Sequence, residues 1–264
     1  MEHVKLIACD IDGTLLRGGA RSLRPETCGL IRRLGERGVL FFAASGRQHA
    51  NLQRLFSPIR DEIGYICENG CLTYWKGEML HREVMDEALG REIIADILRT
   101  EGVEVLVSGE SVSYIQPKDS SFLSHMRDYV GNNVAVVPDI LRCREPYMKI
   151  SLFERDGLRD AGLWQAKYSS RCEVAVSGAQ WLDLVPKGVS KGAALKLVLG
   201  GLGIAPEDCM AIGDNENDVD MLRLSGRSVA VSGAHPLARA AAKTETELVE
   251  GLFEELLCFT AGNA

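Results

Sequence analysis

The sequence predicts an α/β protein, a doubly wound parallel sheet interrupted by an inserted module of α+β character. Continuous apolar runs over residues 4–9, 39–44 and 209–212 are typical of strands buried on both faces, as parallel strands are. Helical patterns follow these runs, and the same alternation of strand and helix stands on both sides of residues 83–185. A polar segment begins directly after each run. These features predict a Rossmann-like core that binds its ligands beyond the carboxyl ends of the strands.

The composition is that of a soluble globular protein. A length of 264 residues allows one domain with a large insertion or two domains, and an apolar fraction of 46 % can form a sizeable core. The net charge of -7 argues against general affinity for nucleic acid or anionic membranes. No apolar run reaches the roughly 18 residues of a membrane span. We therefore expect neither nucleic acid nor a membrane as a partner.

The eight cysteines indicate a reducing compartment. They are dispersed, mostly inside apolar runs, and none forms a Cys-x-x-Cys pair. The closest two, Cys67 and Cys71, have no histidine nearby to complete a zinc site. The first residues do not form a basic segment followed by an apolar one, so we expect no signal peptide. The prediction is a cytoplasmic protein with free thiols.

The first strand, over residues 4–9, ends in two acids, Asp10 and Asp12, followed by a turn at Gly13. Alternate residues of a strand project to the same side, so the two carboxylates should share one site unless the turn begins earlier. Like charges this close require a cation, a shared proton or strong donors. A solvated turn with helper aspartates is the alternative, because Asp and Gly commonly mark turns.

The following elements continue the alternation of strand and helix. Pro25 near the start and Gly38 past the end delimit the first helix. The polar segments Ser45-Gly46-Arg47 and Glu68-Asn69-Gly70 each follow a buried strand, which places them at the same crevice as the two acids. The predicted elements, in chain order, are a helix over 24–38, a strand over 39–44, a helix over 48–56, a strand over 65–67 and a hairpin over 72–80.

Residues 83–185 differ from the flanking segments in their pattern of predicted strands and helices and form the predicted insert. The predicted core therefore comprises residues 1–82 and 186–264. Short turns join neighbouring strands there, which indicates an antiparallel sheet with helices on one side. Lys149 interrupts an otherwise apolar strand, and we interpret it as a solvent-facing residue of a half-exposed sheet. The predicted elements are helices over 86–100, 120–129 and 158–167 and strands over 103–107, 111–115, 134–137, 147–153, 172–176 and 181–185.

The core resumes with a helix capped by Ser190, whose first-turn amides favour an anion. Lys191 begins this helix and is preferred as the cation of the site to Lys187, which directly follows Pro186. A solvated lysine at a helix start is the alternative interpretation. The remaining predicted elements are a strand over 209–212, a last core strand over 228–231 and helices over 236–242 and 247–258.

The strand over 209–212 is followed by an acidic segment that includes Asp214 and Asp218. Acids at alternating positions also occur in calcium-binding loops. Here, however, Val219 and Ser225 stand where such a loop requires glycine and glutamate. The calcium-loop interpretation is therefore disfavoured.

Four separated segments together resemble the four motifs of the haloacid dehalogenase superfamily, in the right order. They are Asp10-Ile11-Asp12-Gly13-Thr14, Ala44-Ser45-Gly46-Arg47, Ser190-Lys191-Gly192 and Gly213-Asp214-Asn215-Glu216-Asn217-Asp218. The long insert between the second and third motifs is similar to that of the Cof-type phosphatases, which carry a large α/β cap (subclass IIB). The sequence departs from that pattern at Val231-Ser232-Gly233-Ala234, where the relatives have Met-Gly-Asn-Ala.

The resemblance implies a role for each matching residue. Asp10 would be the nucleophile that forms an aspartyl-phosphate, and Asp12 the acid and then the base. Ser45 and Lys191 would hold the phosphoryl oxygens. The further implied assignments are Mg²⁺ binding by the side chains of Asp10 and Asp214 and the carbonyl of Asp12, Asp218 in or near the metal shell, Thr14 beside the nucleophile turn, and phosphate or substrate contacts by Gly46, Arg47, Asn69 and Asn217.

A divalent cation is also required by the charges. A phosphate monoester is a dianion, and each close pair of aspartates costs about 4 kcal/mol at 4 Å and an effective dielectric constant of 20. Oxygen ligands without His or Cys select a hard ion such as Mg²⁺. We therefore expect a Mg²⁺-dependent phosphatase of a small phosphorylated metabolite, in the first place a sugar phosphate. Phosphoryl transfer between sugars, as in a mutase, and a non-catalytic regulatory protein are the alternatives. Whether the chain is a monomer or a homodimer stays open.

Overall fold

The computed structural model describes residues 4–261, with side chains for residues 4–258, and this part of the chain contains two sheets. The strands are β1 (Leu6–Cys9), β2 (Leu40–Ala44), β3 (Gly64–Cys67), β4 (Leu72–Trp75), β5 (Glu78–Arg82), β6 (Glu104–Ser108), β7 (Ser113–Ile115), β8 (Val134–Val136), β9 (Lys149–Phe153), β10 (Cys172–Gly178), β11 (Trp181–Pro186), β12 (Cys209–Gly213), β13 (Arg227–Val231) and β14 (Thr244–Thr246). The helices are α1 (Thr27–Glu36), α2 (His49–Leu55), α3 (Glu87–Arg99), α4 (Ser120–Ser124), α5 (Ala161–Tyr168), α6 (Lys191–Leu202), α7 (Val219–Leu224), α8 (Pro236–Ala241) and α9 (Val249–Ala261).

The first sheet is the predicted parallel core. Its order is β14-β13-β12-β1-β2-β3-β4-β5, and the pairs from β14 to β3 are parallel. In the centre, Cys9 lies beside Ile212 and Ala43 in register. Because parallel strands end at the same edge, the residues that follow β1, β2 and β12 emerge side by side. The predicted α/β fold with a parallel core sheet is confirmed.

The two edges of this sheet differ in how well they were predicted. The hairpin β4–β5 is present, and its turn residues Lys76 and Gly77 both have the left-handed backbone angles of a two-residue hairpin turn. At the other edge, residues 228–231 were predicted as the last core strand, but they belong to β13, which is followed by one more strand. Thr244–Thr246 adds β14, parallel to β13. Its three residues are polar and mostly exposed, so it lacks the apolar run that marks a buried strand.

Helices pack on the first sheet through one apolar stripe each. Leu30, Ile31 and Leu34 of α1 recur at helical spacing and are buried. Phe253 of α9 packs edge to face on Phe41, with ring centroids 5.9 Å apart. Burial of side chains of this size stabilises the fold by about 1.5–3 kcal/mol each.

The second sheet, in the order β10-β11-β9-β6-β7-β8, is mixed and not purely antiparallel as predicted. β7 and β8 pair in parallel because α4 and the π-helical turn His125–Val130 connect them. The helices also cover both faces, contrary to the prediction of one side. The apolar faces of α3 and α5 pack on Val105 and Ile150, whereas α4 packs on Leu106 and Phe153. Among residues 4–261, no helix is both long and apolar enough to cross a membrane.

Candidate active site

Asp10 follows β1 directly and is 4 % exposed. Its Oδ1 accepts a hydrogen bond of 2.5 Å from Nζ of Lys191. Its Oδ2 is buried and has no hydrogen-bond partner within the described part of the chain. An unpaired buried carboxylate oxygen costs free energy, so this atom indicates a position where a cation or an electrophile binds.

Lys191 is aimed at Asp10 by the start of α6. The Ser190 hydroxyl accepts a hydrogen bond of 3.1 Å from the backbone N–H three residues further on, which fixes the first turn of the helix. The competing residue, Lys187, is exposed and donates to the carbonyl oxygen of Ser169 at 2.8 Å. Of the two lysines considered from the sequence, the structure therefore places Lys191 in the site.

Asp218 organises the loop after β12. One of its oxygens accepts a hydrogen bond of 2.7 Å from Nζ of Lys191. The other oxygen accepts hydrogen bonds from the backbone N–H groups of Asp214 at 2.9 Å and Asn215 at 3.0 Å. Both oxygens of this fully buried carboxylate are thus used, and Asp218 joins the lysine to the loop that carries Asp214.

Asp214 lies against the turn after Asp10. A Cβ atom added to Gly13, which has φ +93°, would stand 2.2 Å from Oδ2 of Asp214, so only glycine permits this approach. The hydroxyl of Thr14 donates to Oδ1 of Asp214 at 2.8 Å. This hydrogen bond orients the Asp214 carboxylate and holds it against the turn that follows Asp10.

The three carboxylates of Asp10, Asp214 and Asp218 offer oxygens that all lie within 4.8 Å of one another. Burial and the charge of Asp218 raise the pKa of Asp10 well above its usual value, against the opposing effect of Lys191. The same two causes raise the pKa of Asp214. Burial disfavours the charged form of Lys191, but the two aspartates outweigh it and raise the pKa of this lysine. With one ammonium against three carboxylates, the cluster carries excess negative charge.

Arg47 and Asp12 form an ion pair at the side of the site. The guanidinium Nε and Nη2 donate to the two oxygens of Asp12 at 2.7 and 2.6 Å, and Nη1 donates to Asn51 at 3.0 Å. Burial opposes the charge of Arg47, but the hydrogen bonds and charge of Asp12 outweigh it and raise the pKa of the arginine.

Ser45, next to β2, is 1 % exposed, and its hydroxyl oxygen accepts the backbone N–H of Arg47 at 3.2 Å. Its hydroxyl proton stays available for an anion.

A cavity of about 810 Å³ lies between the two sheets and contains the predicted residues at one end. On the side of the first sheet it is lined by Asp10, Asp12, Ser45, Gly46, Arg47 and Asn217. On the side of the second sheet it is lined by Leu106, His125, Lys149, Ser151, Trp181 and Asp183. The cavity therefore combines a charged end with a wall that is partly apolar and aromatic.

Asn69, which was predicted to contact phosphate or substrate, forms hydrogen bonds with two other side chains. Its side-chain amide donates to Oδ2 of Asp183 at 2.5 Å and accepts a hydrogen bond of 3.1 Å from Asn217. It borders a smaller groove of about 410 Å³ on the other side of Asp183. Asn69 thus connects the two sheets, while Asn217 reaches the large cavity.

Lys149 was interpreted wrongly from the sequence: it is 5 % exposed and faces the core, not solvent. Its Nζ lies 2.8 Å from Oε2 of Glu68 and 3.3 Å from Oδ2 of Asp183, and it donates to the carbonyl oxygen of Gly46 at 2.6 Å. One sequence signal could have indicated this position. Lys149 and Asp183 are opposite charges that interrupt two apolar strands, and such charges are buried when they are paired.

The fold and the strand-end aspartates define a hydrolase class. The family model of haloacid dehalogenase-like hydrolases matches residues 7–250, and the chain belongs to this family. It is similar to an uncharacterized hydrolase of Schizosaccharomyces pombe, with 30 % identity over 97 % of this chain and 90 % of that protein. It is also similar to the 5-amino-6-(5-phospho-D-ribitylamino)uracil phosphatase YbjI of Escherichia coli, with 26 % identity over 91 % and 89 % of the two chains.

Solved structures share the fold. A subclass IIB sugar phosphatase of the haloacid dehalogenase superfamily superimposes with a TM-score of 0.83 at 22 % identity, covering 97 % of this chain and 99 % of that chain. The resemblance inferred from the four motifs and the long insert is confirmed. The prediction that the chain is a hydrolase is confirmed as well.

Proposed function

We propose that the protein is a phosphatase that hydrolyses phosphate monoesters of small metabolites through an aspartyl-phosphate on Asp10. The observation that carries this proposal is the state of the Asp10 carboxylate. One oxygen is held by Lys191, and the other is buried at the charged end of the cavity with no partner among the described residues. A fixed carboxylate with one free oxygen is suited to attack on phosphorus.

The donor set suits Mg²⁺. The neighbouring carboxylates of Asp10 and Asp214 offer hard oxygen ligands, and the excess negative charge of the cluster favours a divalent ion. The side chains of Asp10 and Asp214 and the carbonyl oxygen of Asp12 would hold it. Asp218 would act from outside this set, because its oxygens are already bonded to Lys191 and the loop. When bound, Mg²⁺ polarises the phosphoryl group and offsets its charge.

The chain's own residues then account for binding of the phosphoryl group. The Ser45 hydroxyl and the Lys191 ammonium would donate to the phosphoryl oxygens, on which charge develops during transfer. Asn217 lines the cavity at this end and offers an amide to the same group. Arg47 holds the Asp12 carboxylate by two hydrogen bonds in this structure, and release of one of them would free the oxygen that carries the transferred proton.

Two steps follow. In the first, an oxygen of Asp10 forms a bond to phosphorus while the bond to the ester oxygen breaks, and Asp12 gives its proton to that leaving oxygen. In the second, Asp12 takes a proton from water, whose oxygen attacks the phosphorus. The bond between phosphorus and Asp10 breaks, and inorganic phosphate and free Asp10 result. Atoms and protons balance over the cycle, since Asp12 ends protonated as it began.

We propose further that residues 83–185 form a cap domain over a core of residues 1–82 and 186–264. The cap side of the cavity, with His125, Trp181 and Leu106, would receive the leaving group. The YbjI phosphatase is named for a phosphorylated ribityl compound and the solved IIB relative for sugar phosphates, which supports a small polyol or sugar phosphate here. Free thiols at all eight cysteines support a cytoplasmic setting.

The test is a panel of phosphorylated metabolites and p-nitrophenyl phosphate, assayed with Mg²⁺ and after removal of the ion with EDTA. We expect hydrolysis that EDTA abolishes and Mg²⁺ restores, and no turnover by Asp10→Asn. Transfer in place of hydrolysis would show as movement of labelled phosphate from a sugar bisphosphate to a second sugar. A folded protein without activity on any member of the panel would contradict the proposal and favour a non-catalytic role.

A further inference from the structure

A buried group of charges joins the two sheets beside the cavity. We call Lys149, Glu68 and Asp183 the Lys149 cluster. Their side chains are 6 %, 2 % and 4 % exposed, so the charges are almost completely removed from water. Ser108 donates to Glu68 at 3.1 Å, and Ser151 donates to Asp183, so both carboxylates have further donors. Buried charges with this number of partners are held in a fixed arrangement.

The strand geometry explains how the cluster forms. Lys149 and Ser151 are two residues apart on β9 and project to the same face, and Ser151 lies opposite Asp183 of β11. Lys149 and Asp183 are thus diagonal neighbours on the face of the second sheet that turns to the first. Glu68 comes from the end of β3, on the other side of the interface.

Protein oxygens already surround the Lys149 ammonium. Its Nζ donates to the carbonyl oxygen of Gly46 and lies within ion-pair distance of Glu68 and Asp183. Although Lys149 borders the cavity, a role as an anion-binding residue would require it to leave one of these partners. The contacts therefore favour a role that acts through other residues.

Two partners of Lys149, Gly46 and Glu68, belong to the loops that shape the phosphate end of the cavity. Gly46 lies between Ser45 and Arg47, and its carbonyl oxygen is held directly. The backbone N–H of Glu68 donates to the carbonyl of Arg47, and the N–H of Asn69 donates to that of Ser45, both at 3.1 Å. A displacement of Glu68 would therefore also displace the segment Ser45-Gly46-Arg47.

The loop after β3 also requires an external constraint. Glu68 and Asn69 have φ values of +50° and +57°, and Gly70 follows at +107°. Left-handed backbone costs a residue other than glycine about 1–2 kcal/mol, so two in succession persist only where the surroundings hold them. The Lys149 ion pair with Glu68 and the Asn69 bond to Asp183 supply such contacts from the second sheet.

We propose that Lys149 is a positioning residue that fastens the segment Ser45-Gly46-Arg47 to the inserted module, so that the phosphate site is complete only when this module is packed on the core. The proposal rests on the phosphatase function proposed above. The inserted module would then have a second role, besides contact with the leaving group. Packing of the insert would couple substrate enclosure to the alignment of Ser45 with Asp10.

The test compares Lys149→Met with Arg159→Met. The control removes a cation that pairs with the buried Glu154 within the second sheet module and makes no contact with the loops after β2 and β3 in the described structure. Removal of Lys149 leaves two carboxylates buried, so this variant alone can fail to fold. A second variant combines Lys149→Met with Glu68→Gln and Asp183→Asn, which removes the charges together while it still lacks the donor to Gly46.

Three quantities are measured with Mg²⁺ present: the affinity for orthovanadate by titration calorimetry, which requires only the phosphate site, and kcat and KM for p-nitrophenyl phosphate. Because misplacement of a binding group by about 1 Å costs about 100-fold in rate, we expect a fall of that order in kcat and a vanadate affinity weaker by about tenfold or more in both Lys149 variants. Thermal unfolding confirms that each variant is folded.

Wild-type vanadate affinity and kcat in the folded triple variant would overturn the proposal and leave the cluster a purely structural role. So would an equal loss in Arg159→Met. A rise in KM for one metabolite without a change in vanadate affinity would also overturn it, because that result assigns Lys149 to the leaving group. A wild-type protein that neither hydrolyses the ester nor binds vanadate would instead overturn the proposed function and this inference with it.

Discussion

Replacement of Asp10 by Asn tests the charge balance of the site as well as its chemistry. At an effective dielectric constant of about 20, two carboxylate oxygens within 4.8 Å of each other repel by at least about 3.5 kcal/mol, and Asp10 has two such neighbours in Asp214 and Asp218. The attraction of Lys191 at 2.5 Å is about 7 kcal/mol on the same scale, so the repulsion at least offsets it. No interaction in the cluster then offsets the free-energy cost of burying the charge of Asp10.

The sign of the effect on stability follows from the pKa. The pKa of Asp10 is raised in the folded protein, so the folded state favours its neutral form. For such an acid, stability is lost as the pH rises above the pKa of the unfolded chain, so the ionised form of Asp10 is destabilising. Asp10→Asn should therefore have a Tm in EDTA equal to or above that of the wild type, although its turnover is abolished.

Addition of Mg²⁺ should reverse the order. A ligand at 100 times its Kd stabilises the folded state by about 2.7 kcal/mol, which corresponds to a rise in Tm of about 5–10 °C for a chain of this size. We expect this rise in the wild type and a much smaller one in Asp10→Asn. The assay is calorimetric unfolding in EDTA and over a Mg²⁺ titration, with hydrolysis of p-nitrophenyl phosphate measured on the same samples.

Asp12→Asn is the matched control, because the Asp12 carboxylate is 52 % exposed and bound to Arg47, outside the buried cluster. It should lose turnover and keep the wild-type response to Mg²⁺. A Tm of Asp10→Asn in EDTA several degrees below that of the wild type would refute the charge balance. An undiminished Mg²⁺ shift in Asp10→Asn would refute the metal assignment, and wild-type turnover would remove Asp10 from the nucleophile role.

Three further predictions concern single residues. Gly13→Ala should abolish the Mg²⁺-dependent rise in Tm, because its Cβ would displace the Asp214 carboxylate at 2.2 Å and the φ of +93° adds about 1–2 kcal/mol of strain; calorimetric unfolding with and without Mg²⁺ measures this. Lys191→Met should lower the free energy of unfolding by about 3–5 kcal/mol in urea titrations at pH 7, because it leaves buried carboxylates without their cation. Burial opposes ionisation of Asp96, but the hydrogen bond from Lys167 is among those that outweigh it and lower the pKa of Asp96 to about 2. Its contribution to stability is present above about pH 4 and lost as the pH falls through 2, so the deficit in Tm of Asp96→Asn should vanish over that range.

The parts of the site that the sequence predicted share one property: they follow buried parallel strands or begin a helix. Asp10, Ser45 and Asp214 each come after an apolar run, and register brings the ends of those runs together. Lys191 directly follows a helix cap, which fixes its direction. Local sequence is sufficient for such residues because the topology of a parallel sheet determines their common edge.

The residues that the sequence did not predict depend on contacts between elements far apart in the chain. Lys149 and Asp183 lie on strands of a mixed sheet, and local pattern does not specify which face of such a sheet turns to the core and which to solvent. Asn69 follows β3, and the left-handed loop turns its amide toward Asp183, a contact that no local pattern indicates. The strand β14 has no apolar run at all and forms only because β13 offers an edge.

The two buried charge clusters of this protein differ in a way that separates a ligand site from a structural one. Around Lys149, two carboxylates and a carbonyl oxygen satisfy the ammonium, and serine hydroxyls complete the carboxylates. Around Asp10, one ammonium faces three carboxylates, and a buried oxygen has no partner in the described structure. A buried group that lacks a partner costs free energy that an external ligand can recover, whereas a satisfied cluster gains nothing from one. This difference supports the proposals that an ion and a phosphoryl group bind at the unsatisfied cluster and that the satisfied cluster positions that site.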